Sequence, residues 1–252
     1  MDPVYFCLRK SARKIVSRFP VPDFYRDWDR EFHQARWFLE TDERLVRLTA
    51  FVAERIESDF GHGLTHAVKV AVDAGTLLLA ETEVAGADLE GRLHRVRMVQ
   101  AASLLHDIKR KQTDHAHAGA DEANRLLGGF RFRRPDVETI CYAIRNHEAF
   151  KGQEPPPSRE AAVIADCLYD ADKFRWGPDN FTDTIWEMVA FSNPPLSEFF
   201  RRYPVGMEKL QQIRGTFRSQ TGRRYGPQFI DFGIAIGEEL LKAILEDFSH
   251  LL

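Results

Sequence analysis

The sequence is poor in the features that announce several classes of protein. Its three cysteines, Cys7, Cys141 and Cys167, are scattered and form no CxxC pair. That is too few for a disulfide framework, and it suits a reducing compartment. No stretch approaches the ~20 apolar residues of a membrane span. The segment MDPVYFCLRKSARKIVSRF is basic and faintly amphipathic, with Pro3, Pro20 and Pro22 around it, and it holds no apolar run of the length of a secretory signal. The expectation is a cytoplasmic protein with no membrane partner. An excess of charge is missing too: 35 basic and 38 acidic side chains leave a formal charge of −3. Duplex nucleic acid, which is gripped through many Lys and Arg contacts to phosphate, is therefore not an expected partner. A local basic pocket for a small phosphorylated ligand is still compatible with this balance. Internal repeats, low-complexity tracts and alternating β-branched runs bounded by turns are also lacking.

What is present has the composition of an ordinary globular chain, 44% hydrophobic and 29% charged over 252 residues. Helical periodicity dominates, so the predicted fold class is all-α. One helix is expected after Pro22, in DFYRDWDREFHQARWFLE. Thr41 reads as the N-cap of the next, where Leu45, Leu48, Val52 and Ile56 fall at helical spacing. Gly61-His62-Gly63 breaks that helix. Further helices are expected over about 64–82 and 89–106, and from His115 to a stop at Gly128-Gly129. Pro135-Asp136 opens another that runs through His147. Ser158 is placed to cap a helix that carries Asp166 to Lys173. Beyond Trp176-Gly177-Pro178, two helices are expected over about 206–220 and 228–251. Residues 1–60 read as N-terminal helices on the core, 61–177 as the central unit, and 178–252 as a helical cover of the same globule. The aromatic-rich stretch from Phe181 to Phe200, with Trp186, Phe191 and Phe199, reads as core packing.

Histidine is where the sequence concentrates chemistry. Seven of nine fall between His62 and His147. Imidazoles with a neighbouring carboxylate suit divalent transition metals. The sharpest feature is Leu104-Leu105-His106-Asp107, which follows an apolar face made by Met98, Ala101, Ala102 and Leu105. An Asp carried into a low-dielectric pocket by such a face is costly unless a cation compensates it.

Around that dipeptide stand Gly61-His62-Gly63-Leu64-Thr65-His66, Ala143-Ile144-Arg145-Asn146-His147-Glu148 and Asp170-Ala171-Asp172-Lys173-Phe174. In order and approximate spacing, this set resembles the HD superfamily of metal-dependent phosphohydrolases over about 62–175. The resemblance implies an HD-domain helical bundle with additional N- and C-terminal helices. It implies metal ligation by His66, His106, Asp107 and a last Asp, for which Asp172 is preferred over Asp170 and Asp166. It further implies a site able to take two ions, with His115 and His147 as the extra ligands and Asp107 as the bridge. The implied cofactor is a divalent metal (Mn, Fe, Zn, Co, Ni or Mg), one ion or two. His62 reads as a loop residue near the ligands. His33, His94, His117 and His250 read as surface residues.

The activity that follows is hydrolysis of a phosphomonoester or phosphoanhydride, with a nucleotide as the first candidate substrate, because a divalent ion brings bound water toward neutral pKa and polarises a phosphoryl oxygen. Asp107 is central to that chemistry. Lys69 and Lys173 are the expected phosphate contacts, whereas Arg110 and Lys111 read as solvated charges. Departures from the family narrow the substrate. Ile108-Lys109-Arg110-Lys111 replaces the acidic pair of the stringent-response alarmone hydrolases. Phe150-Lys151-Gly152 stands where the cyclic-dinucleotide hydrolases carry Gly-Tyr-Pro. The longer His-rich pattern of the deoxynucleotide triphosphohydrolases is absent. Two other classes compete: an HD-fold dinuclear-iron oxygenase, and a non-catalytic nucleotide-sensing or partner-binding module.

Overall fold

The computed structural model describes residues 2–56, 63–83 and 88–249. Within them the chain is all-α, with no strand among the described residues. The α-helices are α1 Pro3–Val16, α2 Asp23–Asp27, α3 Asp29–Thr41, α4 Glu43–Ala53, α5 Leu64–Glu83 and α6 Leu89–Leu105. They continue as α7 His115–Leu126, α8 Arg134–Arg145, α9 Arg159–Phe174, α10 Ile185–Ser192, α11 Leu196–Ile213 and α12 Gln220–Phe248. A 3-10 turn at Leu127–Phe130 and a π-turn at Asn180–Thr184 fill two of the connections. No helix among the described residues is long and apolar enough to cross a membrane.

The centre is formed by α5, α6 and α9. Val70 to Ala80 on α5 and Val96 to Leu105 on α6 are buried almost without interruption. Helices hydrophobic on every side must lie inside a layer of others. Here α3, α4, α8 and the N-terminal half of α12 form that layer. Gln100, buried within it, donates Nε2–H to Ala35 O at 2.8 Å and so ties α6 to α3. A second cluster joins the two ends of the chain: Tyr5, Leu8, Ala12 and Ile15 of α1 pack with Trp186, Tyr203, Leu210, Ile236 and Leu240. Helix α1 thus rests on α12, α10 and the π-turn.

Several local expectations are revised. The segment after Pro22 is broken at Trp28, whose φ of −119° and ψ of 32° separate α2 from α3. Thr41 ends α3, its hydroxyl donating to Trp37 O, while Asp42 caps α4 by accepting from the Arg44 and Leu45 amides. Ser158 does cap α9, accepting from Ala161 N at 3.0 Å. The last helices begin earlier than expected, and Pro204 and Pro227 lie inside α11 and α12. Phe181 and Trp186 are core residues, but Phe191 is 52% exposed.

Candidate metal centre

Five candidate ligands lie at helix ends and the sixth, Asp172, in the last turn of α9, so the core positions them without interrupting any helix. His66 is in the first turn of α5. His106 is the C-cap of α6, with Asp107 next to it in the turn. His115 opens α7, and His147 follows the C-cap of α8. His62 and His250 lie outside the described residues.

One device is used twice. The last carbonyls of a helix have no intrahelical donor. Ser103 O receives His106 Nδ1 at 2.7 Å, and Ile144 O receives His147 Nδ1 at 2.6 Å. Each bond places the ring proton on Nδ1 and leaves the Nε2 lone pair facing inward, which is how metal-binding imidazoles are oriented. His106 is fully buried, and its Nε2 has no hydrogen-bond partner. A buried acceptor left in that state costs stability unless a cation meets it.

The ligand atoms fall into two groups that share Asp107: His66, His106 and Asp107, then Asp107, His115 and His147. Asp107 Oδ2 lies 3.4 Å from His106 Nε2. Its Oδ1 lies 3.5 Å from His115 Nε2 and 3.6 Å from His147 Nε2. The carboxylate therefore turns one oxygen to each group. Asp172 Oδ1 completes the first group, 3.3 Å from His66 Nε2 and 3.8 Å from His106 Nε2. Most of these separations are too long for good hydrogen bonds. Two nitrogen ligands of one tetrahedral ion, each at roughly 2.0–2.1 Å, stand about 3.4 Å apart. The residues present therefore fit a metal, and the pair of groups fits one ion or two. Imidazole and carboxylate donors without thiolate do not specify which metal.

Electrostatics mark this point as one that favours positive charge: burial alone would lower His106, but Asp107 and Asp172 raise it. Burial pulls His115 down to about 4, against the pull of Asp107 and with help from Arg110 and His147, so the ring is neutral and able to ligate. Burial alone would raise the Asp172 carboxyl, but Lys173, His66 and His106 hold it well below the usual range. Lys173 itself is buried against Asp172, with its ammonium 5.0 Å from the centroid of the Tyr169 ring.

The rival acids lie elsewhere. Asp170 is fully buried, and its two oxygens accept from the Arg218 and Ser219 amides, both at 2.8 Å. It anchors the start of α12 to α9. Lys69 is one turn beyond His66, but its ammonium pairs with Asp179 and Asp183 at 3.2 and 3.1 Å. It lines a cavity of about 720 Å³ with Tyr25, Asp73 and Arg175, and none of the ligands contributes to that lining among the described residues. His117, exposed, pairs with Asp114 at 2.9 Å, and His94 with Asp136 at 3.2 Å.

Arg110 is exposed, as a solvated charge would be, yet one of its nitrogens reaches the site. Its Nη1 lies 2.7 Å from His115 Nε2 and 3.7 Å from Asp107 Oδ1, within the second ligand group. The signal was its position three residues after Asp107 in a turn, where a long side chain reaches back over the same site. Gly119 allows the approach of α7 to this turn: a Cβ there would stand 3.3 Å from His106 O.

No family model matches the chain, and neither a curated protein nor a solved structure matches it. What the centre does has to be read from its own geometry.

Proposed function

We propose that this chain is a metal-dependent phosphohydrolase acting on a phosphomonoester or phosphoanhydride, with nucleotides the first substrates to test. The observation that carries the reading is the convergence of His66, His106 and Asp107 at separations suited to a metal ion, with Asp172 Oδ1 3.3 Å from His66 Nε2 and 3.8 Å from His106 Nε2 and a second group sharing Asp107 beside it. The His, His-Asp, Asp order that resembles the HD superfamily supports the same conclusion. A divalent ion there supplies Lewis acidity: it makes water a competent nucleophile near neutral pH and polarises a phosphoryl oxygen.

The protein's own groups do the rest. The two helix-end carbonyls hold the His106 and His147 rings in the ligating tautomer. Asp107 presents an oxygen to each half of the site. Lys173 offsets the charge of Asp172. Burial of the set excludes bulk water and strengthens each of these interactions.

The test is metal content and phosphate release for the purified protein and for Asp107→Ala, against phosphomonoesters, nucleoside phosphates and dinucleoside polyphosphates. The expected outcome is bound metal and turnover in the wild type, with both lost in the variant. Metal-loaded protein that releases no phosphate from any of them would defeat the hydrolase reading while leaving the metal centre intact.

A further inference from the structure

We infer that Arg110 occupies the second half of the centre in place of a metal ion, so that the resting protein takes one ion, at His66, His106, Asp107 and Asp172, and excludes a second. The inference rests on the reading of the site as a metal centre and goes beyond it by assigning how many ions bind and what sets that number.

A guanidinium has donors and no acceptor. Its Nη1 is 2.7 Å from His115 Nε2, so that nitrogen is the acceptor and the His115 proton is on Nδ1, which faces Glu148 Oε1 at 3.9 Å. His147 donates Nδ1–H to Ile144 O, so its Nε2 also carries a lone pair. The two Nε2 atoms stand 3.3 Å apart, with Asp107 Oδ1 within 3.6 Å of both. Two lone pairs and a carboxylate oxygen facing one another repel unless a cation lies among them. Arg110 is that cation: it reaches His115 Nε2 and lies 3.7 Å from Asp107 Oδ1. An imidazole nitrogen has one lone pair in the ring plane. It cannot accept from Arg110 and bind a metal together. A second ion would have to displace the guanidinium and then tolerate its charge nearby. The first half has no such competitor at His106, whose Nε2 has no hydrogen-bond partner. The first half also holds a cation, but Lys173 pairs with Asp172 Oδ2 and leaves Oδ1 facing His66 and His106, whereas Arg110 takes the ligand atom of His115 itself.

The experiment is a count of ions. Wild type, Arg110→Met and Arg110→Ala are stripped with chelator and reloaded with Mn²⁺. Metal per chain is then measured, together with the paramagnetic resonance spectrum. The wild type should take one ion and give the spectrum of an isolated Mn²⁺. Both variants should take two, with the spectrum of a coupled pair. Adding His115→Ala to Arg110→Met should return the count to one. Arg110 is half-exposed in a turn, and thermal unfolding of each variant checks that it is folded. A wild type that binds two coupled ions overturns the inference and leaves the metal centre standing, as do variants that stay at one ion. A wild type that binds no Mn²⁺, Zn²⁺ or Fe²⁺ overturns the metal reading itself, and this inference with it.

Discussion

Asp170 shows how one residue can carry the signature of a functional acid and serve another purpose. It lies two positions from Asp172, is buried, and competes with it for the role of last ligand in the sequence pattern. The structure uses both of its oxygens on the Arg218 and Ser219 amides. Burial pushes its carboxyl up to about 7, although the Ser219 and Arg218 donors work in the other direction. The linkage has a definite sign. The folded state holds this proton more tightly than the unfolded chain, so the group's contribution to stability is complete below the ordinary Asp value and is lost as pH rises through about 7. Asp170→Asn removes the titration. Urea unfolding of metal-free protein between pH 4 and pH 8 should show the wild type losing stability relative to the variant across that window. A constant difference between the two across the range would mean that Asp170 ionises in the fold as it does in water.

At the scale of elements, the centre depends on where helices stop. His106 and His147 can ligate because α6 and α8 end one and two residues earlier and leave carbonyls for their Nδ1 protons. The same scale holds most of the misread boundaries. The last two helices were expected to begin at about 206 and 228, just past Pro204 and Pro227, and an interior proline costs about 3 kcal/mol. In α12 that cost is outweighed by burial of Tyr225, Phe229 and Ile230 against the central helices, a tertiary gain invisible to local propensity. The junction of α12 with α9 is correspondingly tight. A Cβ at Gly222 would lie 2.0 Å from Asp170 Oδ2 and 2.9 Å from Ser219 Oγ. Inside a helix, Gly→Ala ordinarily stabilises by about 1 kcal/mol. Here Gly222→Ala should destabilise by about 1–3 kcal/mol, the range for overpacking, as read from the urea midpoint. An unchanged or raised midpoint would show that this junction has room.

For the whole molecule, four segments distant in the chain, around residues 66, 106–115, 147 and 172, meet in one buried polar cluster surrounded by the main core. Gathering Asp107, Asp172 and four imidazoles out of water is costly, and a bound cation offsets that cost. Metal should therefore act as a stabilising ligand of the entire fold. At about a hundred times its Kd a single ion adds about 2.7 kcal/mol, and a chain of this size moves roughly 2–4 °C per kcal/mol. Chelation should lower the Tm of the wild type by that order, and Asp107→Ala should show no response to metal or chelator. A wild-type Tm indifferent to both would count against the centre.

The all-α class followed from the sequence by itself, because a 3.6-residue periodicity needs no partner to be recognised. Helices α5 to α9 were placed to within a few residues for the same reason, aided by local signals such as Ser158 before α9. The candidate ligands were legible because His-Asp after a buried face, with the histidines and the acid around it, resembles the ligand pattern of the HD superfamily. The tertiary structure decided which acid faces the imidazoles: Asp170 and Asp172 differ by about 200° around a helix, and only the neighbours of α9 determine which direction is inward. It also decided that Lys69 pairs with Asp179 and Asp183, and that Arg110 turns back onto His115. Long cationic side chains have many rotamers of similar local energy, so their destinations are set by charges brought near by the fold and not by their place in the chain.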